Sequence, residues 1–346
     1  MLTKEILFLG IVSSTIFVLL IILLSYLIIR KTSEIQSRKK IDRLKETFHP
    51  FLLEYVMEGK KTRKLIVDSP RKMIAMEELL ENYGELLKDD AAENKISSLA
   101  EKHLSSFYLK GLRSRKWSSR MNALYHIELF QLNGMSEHVC YSICRKNASK
   151  EEIVEGLKIL AQFSHPSLFE LIQYKFTDLK DMDYRKILVY LSDENLDPII
   201  LSYHILKPEL QWALLDILGQ KKEFKYLPLI ESIYRNYKGE VRLRAAKAIA
   251  SIGYIRSYEM YLPLASSQIW QERLMAAKIF GRANETSLLP YLENLLSDHS
   301  WYVRSEAGHA LSIINGGEKV LQNAIINSTD PFARDMAREW MNKGVL

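Results

Sequence analysis

Eight histidines are the first candidates for acid–base or metal chemistry, and their placement argues against both. His49, His103, His126, His138, His165, His204, His299 and His309 are scattered along the chain, with no H-E-x-x-H, no G-x-S-x-G and no glycine-rich phosphate loop. They are expected as interior or boundary residues, and no catalytic residue is expected. The chain has two cysteines, Cys140 and Cys144, which share a helix face with His138 nearby. Three ligands without a fourth in a standard spacing do not make a metal site, so both thiols are read as small core residues and no metal is expected. So few cysteines exclude a disulfide framework and fit a reducing compartment. No cofactor is expected.

The residues that recur with a period are arginines. Trp-x-x-Arg-x-x-Ala occurs as Trp117, Arg120, Ala123, as Trp270, Arg273, Ala276, and as Trp301, Arg304, Ala307. Arg242 with Ala245, and Arg334 with Ala337, repeat it without the tryptophan. From Arg242 onward the arginines follow one another at 31, 31 and 30 residues, room for two helices and two short turns. Such arginines either line a groove for an acidic partner or tie each repeat to its neighbour. The tryptophans, always three residues ahead, are expected to pack over the helix start rather than form a ligand cage.

Helices must position these residues. Val241, Ala245, Ala248, Ile249 and Ile252 recur as Val303, Ala307, Ala310, Leu311 and Ile314, one apolar stripe at helical spacing. Between Arg120 and Arg242 the phase is weaker. Gly156, Ile159, Leu160 and Phe163 match it, whereas the copies near Ile187 and Ala213 align in two ways. First helices are expected to start at Tyr226-Leu227-Pro228, Tyr261-Leu262-Pro263 and Leu289-Pro290-Tyr291, since proline is tolerated in a first turn. Asp298 and Asp330 are expected as caps and Gly253 and Gly281 as stops. Of 346 residues only 14 are Gly and 9 Pro, which also favours helix over turn-rich β structure.

Ile6 to Ile29 is an uncharged run of 24 residues. As a helix it spans ~36 Å, enough for a ~30 Å hydrocarbon core. It runs straight into Arg30 and Lys31 without a cleavage site, so an uncleaved anchor is expected. Gly10 and Ser14 form a small-xxx-small pair, by itself a weak packing signal. The net charge of +6 is accounted for by residues 30–64, where eleven Lys or Arg face five acids. Seven of these cations lie between Arg30 and Lys45, which places the body on the cytoplasmic side and the N-terminus outside. Arg30, Lys31, Arg38, Lys39 and Lys40 are the membrane-proximal set, able also to meet anionic lipid. The body beyond Leu65 is balanced, so no nucleic acid partner is expected.

The chain from about Arg120, and above all Val241 to Leu346, resembles HEAT repeats of the short bacterial, phycobilisome-lyase-like kind. Asp298-His299-Ser300-Trp301-Tyr302-Val303-Arg304-Ser305-Glu306-Ala307 is similar to the family's turn-to-second-helix signature. The resemblance implies an all-α solenoid that binds proteins and does not imply lyase activity. It also favours the ladder reading of Arg120, Arg242, Arg273, Arg304 and Arg334, and a structural role for Trp117, Trp270 and Trp301. Expected divisions are an anchor at 1–30, a basic stalk at 31–65, a helical cap at 66–116 and repeats at 117–346. The expected function is a non-enzymatic membrane-anchored adaptor with a protein partner, itself membrane-associated. Anchored proteins of this family in envelope polysaccharide synthesis suggest a glycosyltransferase system. The alternative is an accessory protein that handles a prosthetic group; a small-molecule ligand is otherwise not expected.

Overall fold

A leucine- and isoleucine-rich start sets the first element. The computed structural model describes residues 2–60, 65–87 and 89–343, with side chains from residue 8 onward, and every regular element among them is helical. It divides into two units, Met1–Phe163 and Ser164–Leu346.

In the first unit α1 (Leu2–Glu58) is one helix of 57 residues. Its early part holds a stretch of mean hydropathy 2.7 with nothing buried against the protein, a candidate membrane span. The same helix then changes character. Ile41, Phe48, Leu52 and Val56 are buried on one stripe, packed on α2 (Pro70–Leu86) and α3 (Asp90–Leu112). Arg38 pairs with Glu78 of α2, and Lys45 reaches the same carboxylate at 2.8 Å. The stretch read as a separate stalk, 31–65, therefore contributes its 41–56 portion to the packed body, because the apolar stripe resumes once the helix leaves the span. Lys61, Arg63 and Lys64 lie outside the described residues.

Next come α4 (Trp117–Leu129), α5 (Ser136–Ile143) and α6 (Lys150–Gln162). Helices α1, α3 and α5 pack in succession, as do α4 and α6 behind them. The start of α6 is fixed by a capping box: Ser149 Oγ accepts from Glu152 N at 3.3 Å, and Glu152 Oε2 accepts from Ser149 N at 2.9 Å.

The second unit opens with the short α7 (Leu168–Glu170), followed by α8 (Asp181–Leu188) and α9 (Asp193–Leu201). Then follow α10 (Pro208–Lys221), α11 (Leu227–Asn236) and α12 (Gly239–Ile252). A 3₁₀ segment, Glu259–Ser266, precedes α13 (Trp270–Ala283), α14 (Leu289–Leu296), α15 (Trp301–Ile313), α16 (Gly317–Asn327) and α17 (Pro331–Lys343). Helices α8, α10, α12, α13, α15 and α17 each pack on the next, giving a layer of second helices as in a repeat solenoid. Ile187 and Ala213, ambiguous in sequence, fall in α8 and α10 of this layer.

Two expectations change here. Tyr261-Leu262-Pro263 does not start an α-helix. It lies within the 3₁₀ segment, where Pro263 sits mid-element and denies an α-helical turn its N–H. Gly281 is not a stop either; it is inside α13, which ends at Asn284 in the left-handed region (φ 54°). A Cβ at Gly281 would stand 2.9 Å from Ala310 Cβ of α15, so glycine there permits the two backbones to touch. Gly253 does end α12, at φ 78°.

Candidate functional site

Two of the repeat arginines, Arg120 and Arg273, share one geometry, and the others depart from it. Arg120, at the start of α4, turns one guanidinium edge back to the carbonyls of Ser114 and Arg115 at 3.1 and 3.0 Å. Its other edge reaches forward to Glu152 of α6, Nε to Oε1 at 2.5 Å and Nη2 to Oε2 at 3.0 Å. Arg273 copies this, with Ser267 and Gln268 carbonyls at 2.7 and 3.3 Å and Asp298 Oδ2 and Oδ1 at 2.5 and 2.9 Å. Arg304 keeps the backward bonds, to Asp298 and His299 carbonyls, but forward it finds only the ring of Phe332, 5.2 Å away. Arg334 bonds the Ser328 carbonyl at 2.8 Å. Arg242 lies over Tyr234 and donates to its hydroxyl at 3.2 Å. The bidentate fork suits guanidinium better than ammonium, which accounts for arginine at this position.

These pairs are buried enough to shift titration. Burial pushes the Glu152 carboxyl up, but Arg120 and the Ser149 N–H outweigh it and hold the group below its ordinary 4.5. Asp298 is likewise raised by burial and lowered more by Arg273 and the Ser300 N–H, ending below 3.8. Asp298 thus links to the preceding repeat and fixes the entry to α15 through Ser300 N at 2.8 Å. Asp330 performs the capping bond alone, to Phe332 N at 2.9 Å.

The tryptophans sit on the surface. Trp117, Trp270 and Trp301 are 49%, 37% and 54% exposed. Trp117 Nε1 donates to Ser149 Oγ at 3.1 Å. Trp270 stacks on Tyr302 at 5.3 Å, and Trp301 meets the edge of the same ring at 5.4 Å. Trp117 and Trp270 thus reach the next repeat from outside, whereas Trp301 meets a ring of its own helix.

Further cations gather elsewhere, in a cleft of about 440 Å³ on the layer of second helices. Lys222, Lys247, Lys278, Arg282 and His309 line it, with Glu306 the carboxylate among them. Lys247 leans on Asp216 at 3.1 Å and Lys278 on Glu306 at 3.6 Å. Lys222 and Arg282 make no ion pair with any described residue. Lys247, Lys278 and His309 follow at intervals of 31 residues, five places after Arg242, Arg273 and Arg304. The two sets leave each helix in different directions, the arginine into the stack and the later residue into the cleft. Cations over apolar Met275 and Ile313 can hold a carboxylate-bearing extended segment.

Residues 258–341 match the family model for HEAT repeats. No curated protein matches the chain. Among solved structures, the crystal structure of an engineered protein is 14% identical, covering 90% of this chain and 96% of its own, at a TM-score of 0.40. A likeness at that score carries no argument.

The remaining expected residues fall as follows. Arg30, Lys39 and Lys40 are exposed along α1, and Lys31 pairs locally with Glu34 at 3.5 Å. Arg38 is engaged with Glu78 and Asp42, so it serves the fold as well as any membrane surface. Cys140 and Cys144 are half-buried; Val139 and Ile143 take the core positions of α5 instead. Among the described residues no group of three His, Cys, Asp or Glu is placed to hold a metal ion. Reading the sequence alone passed over Lys247, Lys278 and Arg282, although the 31-residue interval was there to find the first two.

Proposed function

We propose that this protein is a membrane-anchored scaffold that acts by binding and not by catalysis. The span in α1 holds the HEAT repeats at the cytoplasmic face, and the cation-lined cleft on α12, α13 and α15 takes an acidic segment of a protein partner. The observation that carries the reading is a division of labour among the cations of these helices. Arg120 and Arg273 are consumed in joining repeats and Lys247 and Lys278 meet Asp216 and Glu306, while Lys222 and Arg282 at the cleft make no ion pair with any described residue. HEAT repeats in general serve protein–protein interaction, which supports a protein partner. Seven basic residues after the span support the orientation. By resemblance to anchored HEAT proteins, a membrane glycosyltransferase system is the first partner to try.

Fractionation tests the anchored part. Full-length protein should stay in the membrane pellet through alkaline carbonate washing, and protease should digest its body in inside-out vesicles but not in right-side-out ones. Release by carbonate, or digestion from the outside, would overturn the assignment.

A further inference from the structure

The starts of three consecutive second helices carry large apolar side chains that the fold leaves uncovered. Ile269 and Trp270 open α13, Trp301 and Tyr302 open α15, and Phe332 opens α17. Tyr302 is 59% and Phe332 63% exposed, more than either tryptophan. The rings of Trp270, Tyr302 and Trp301 meet in that order, at 5.3 and 5.4 Å between centroids, so they form one ridge. Single exposed apolar residues are ordinary, whereas a contiguous patch of them marks a surface that meets another molecule.

One cation of this ridge lacks the acid its equivalents have. Arg120 and Arg273 turn the Nε edge of the guanidinium to a carboxylate of the next repeat. In Arg304 the same Nε is buried and makes no hydrogen bond with any described residue, and the ring of Phe332 lies over the guanidinium instead. A buried N–H is normally paired, so this edge marks a place for an acceptor, and the repeat shows which kind fits: a carboxylate.

Spacing selects what could bring it. Packed helices lie ~8–10 Å apart, and a polyproline II strand repeats every three residues, roughly 9 Å. Prolines three residues apart therefore meet aromatic rings on successive helices. The loops entering the three helices, 267–269, 297–300 and 328–330, hold no Lys or Arg, which disfavours an anionic membrane surface as the occupant.

We propose that the ridge binds a proline-rich segment of a partner protein in the polyproline II conformation, with an Asp or Glu flanking the prolines. The prolines lie against Trp270, Tyr302 and Trp301, Phe332 turns aside, and the acid takes the free edge of Arg304 as Glu152 takes that of Arg120. This surface is separate from the cation-lined cleft, whose residues on α13 and α15 come from later turns.

The test titrates the full chain in lipid nanodiscs, by calorimetry, with three peptides of equal length: a proline core flanked by glutamates, the same core flanked by lysines, and a glycine–serine core flanked by glutamates. The glutamate-flanked proline peptide should bind saturably, on the order of tenfold tighter than either of the others. The glycine–serine peptide has the same charge and so reports any binding at the cleft alone. Trp270→Ala/Trp301→Ala should erase the advantage of the proline core, Arg304→Met should make the glutamate and lysine flanks equivalent, and Lys278→Glu/Arg282→Glu should leave the proline preference in place. No saturable binding, equal binding of the glycine–serine peptide, or an undiminished proline preference in folded Trp270→Ala/Trp301→Ala would each overturn the proposal. So would a dimer in sedimentation of the wild type that this variant loses, since a second copy would then be what covers the ridge.

Discussion

Arg120→Met should cost the first unit about 3–5 kcal/mol, a large fraction of any single unit's stability. The magnitude comes from what is left behind: Glu152 is 1% exposed and would keep its charge with no cation beside it. Arg304→Met, which removes the same residue type at the same repeat position, should cost only about 1–2 kcal/mol. Its forward partner is the Phe332 ring, so no acid is stranded. The double variant Arg120→Met/Glu152→Met should recover most of the loss, retaining about 1 kcal/mol of damage from the broken capping box. Denaturant unfolding of the wild type and these three variants checks the order of the losses. Acid gives an independent reading. The Glu152 carboxyl is depressed in the folded state, so the stability it lends is fully present above its unfolded value of 4.5 and is lost as pH falls through the lower folded value. That acid-side loss should be smaller in Arg120→Met.

Asp216→Ala should be of similar size in the second unit. Asp216 of α10 is 8% exposed and receives Arg244 at 2.6 Å, Lys247 at 3.1 Å and Arg185 at 3.3 Å. Cations from α8 and α12 thus meet on one buried carboxylate, and its removal leaves Arg185 and Arg244 to share Asp181, at 3.3 and 3.1 Å, and Lys247 without its acid. A loss of about 3 kcal/mol corresponds to roughly 6–12 °C in melting temperature for a unit of this size. Asp216→Asn keeps the volume and part of the hydrogen bonding and should lose less. The cleft should also suffer, because Lys247 is held at its edge by this contact.

The repeat was legible because its two signals reinforce each other. An arginine at 31-residue intervals and a stripe of Ala with Ile or Leu on the same helix can hardly coexist outside stacked hairpins. Which acid each arginine takes was not legible: Glu152 lies 32 residues beyond Arg120 and Asp298 only 25 beyond Arg273, so no fixed offset exists to read. Gly281 looked like a helix stop because glycine serves both as a stop and at helix contacts, and only the approach of Ala310 decides between them. How far the tryptophans would be exposed was not legible, since Trp270 and Trp301 meet the one ring of Tyr302 on the outside only after packing.

A photo-crosslinking residue placed at Ile313, on the cleft of the second helices, tests the scaffold reading most directly when the full chain is irradiated in its own membranes. The expected result is one discrete protein adduct, whose yield falls as salt is raised and disappears in Lys278→Glu/Arg282→Glu. An adduct of the same size and yield in the charge-reversed protein, or no adduct at all from the cleft, would contradict it.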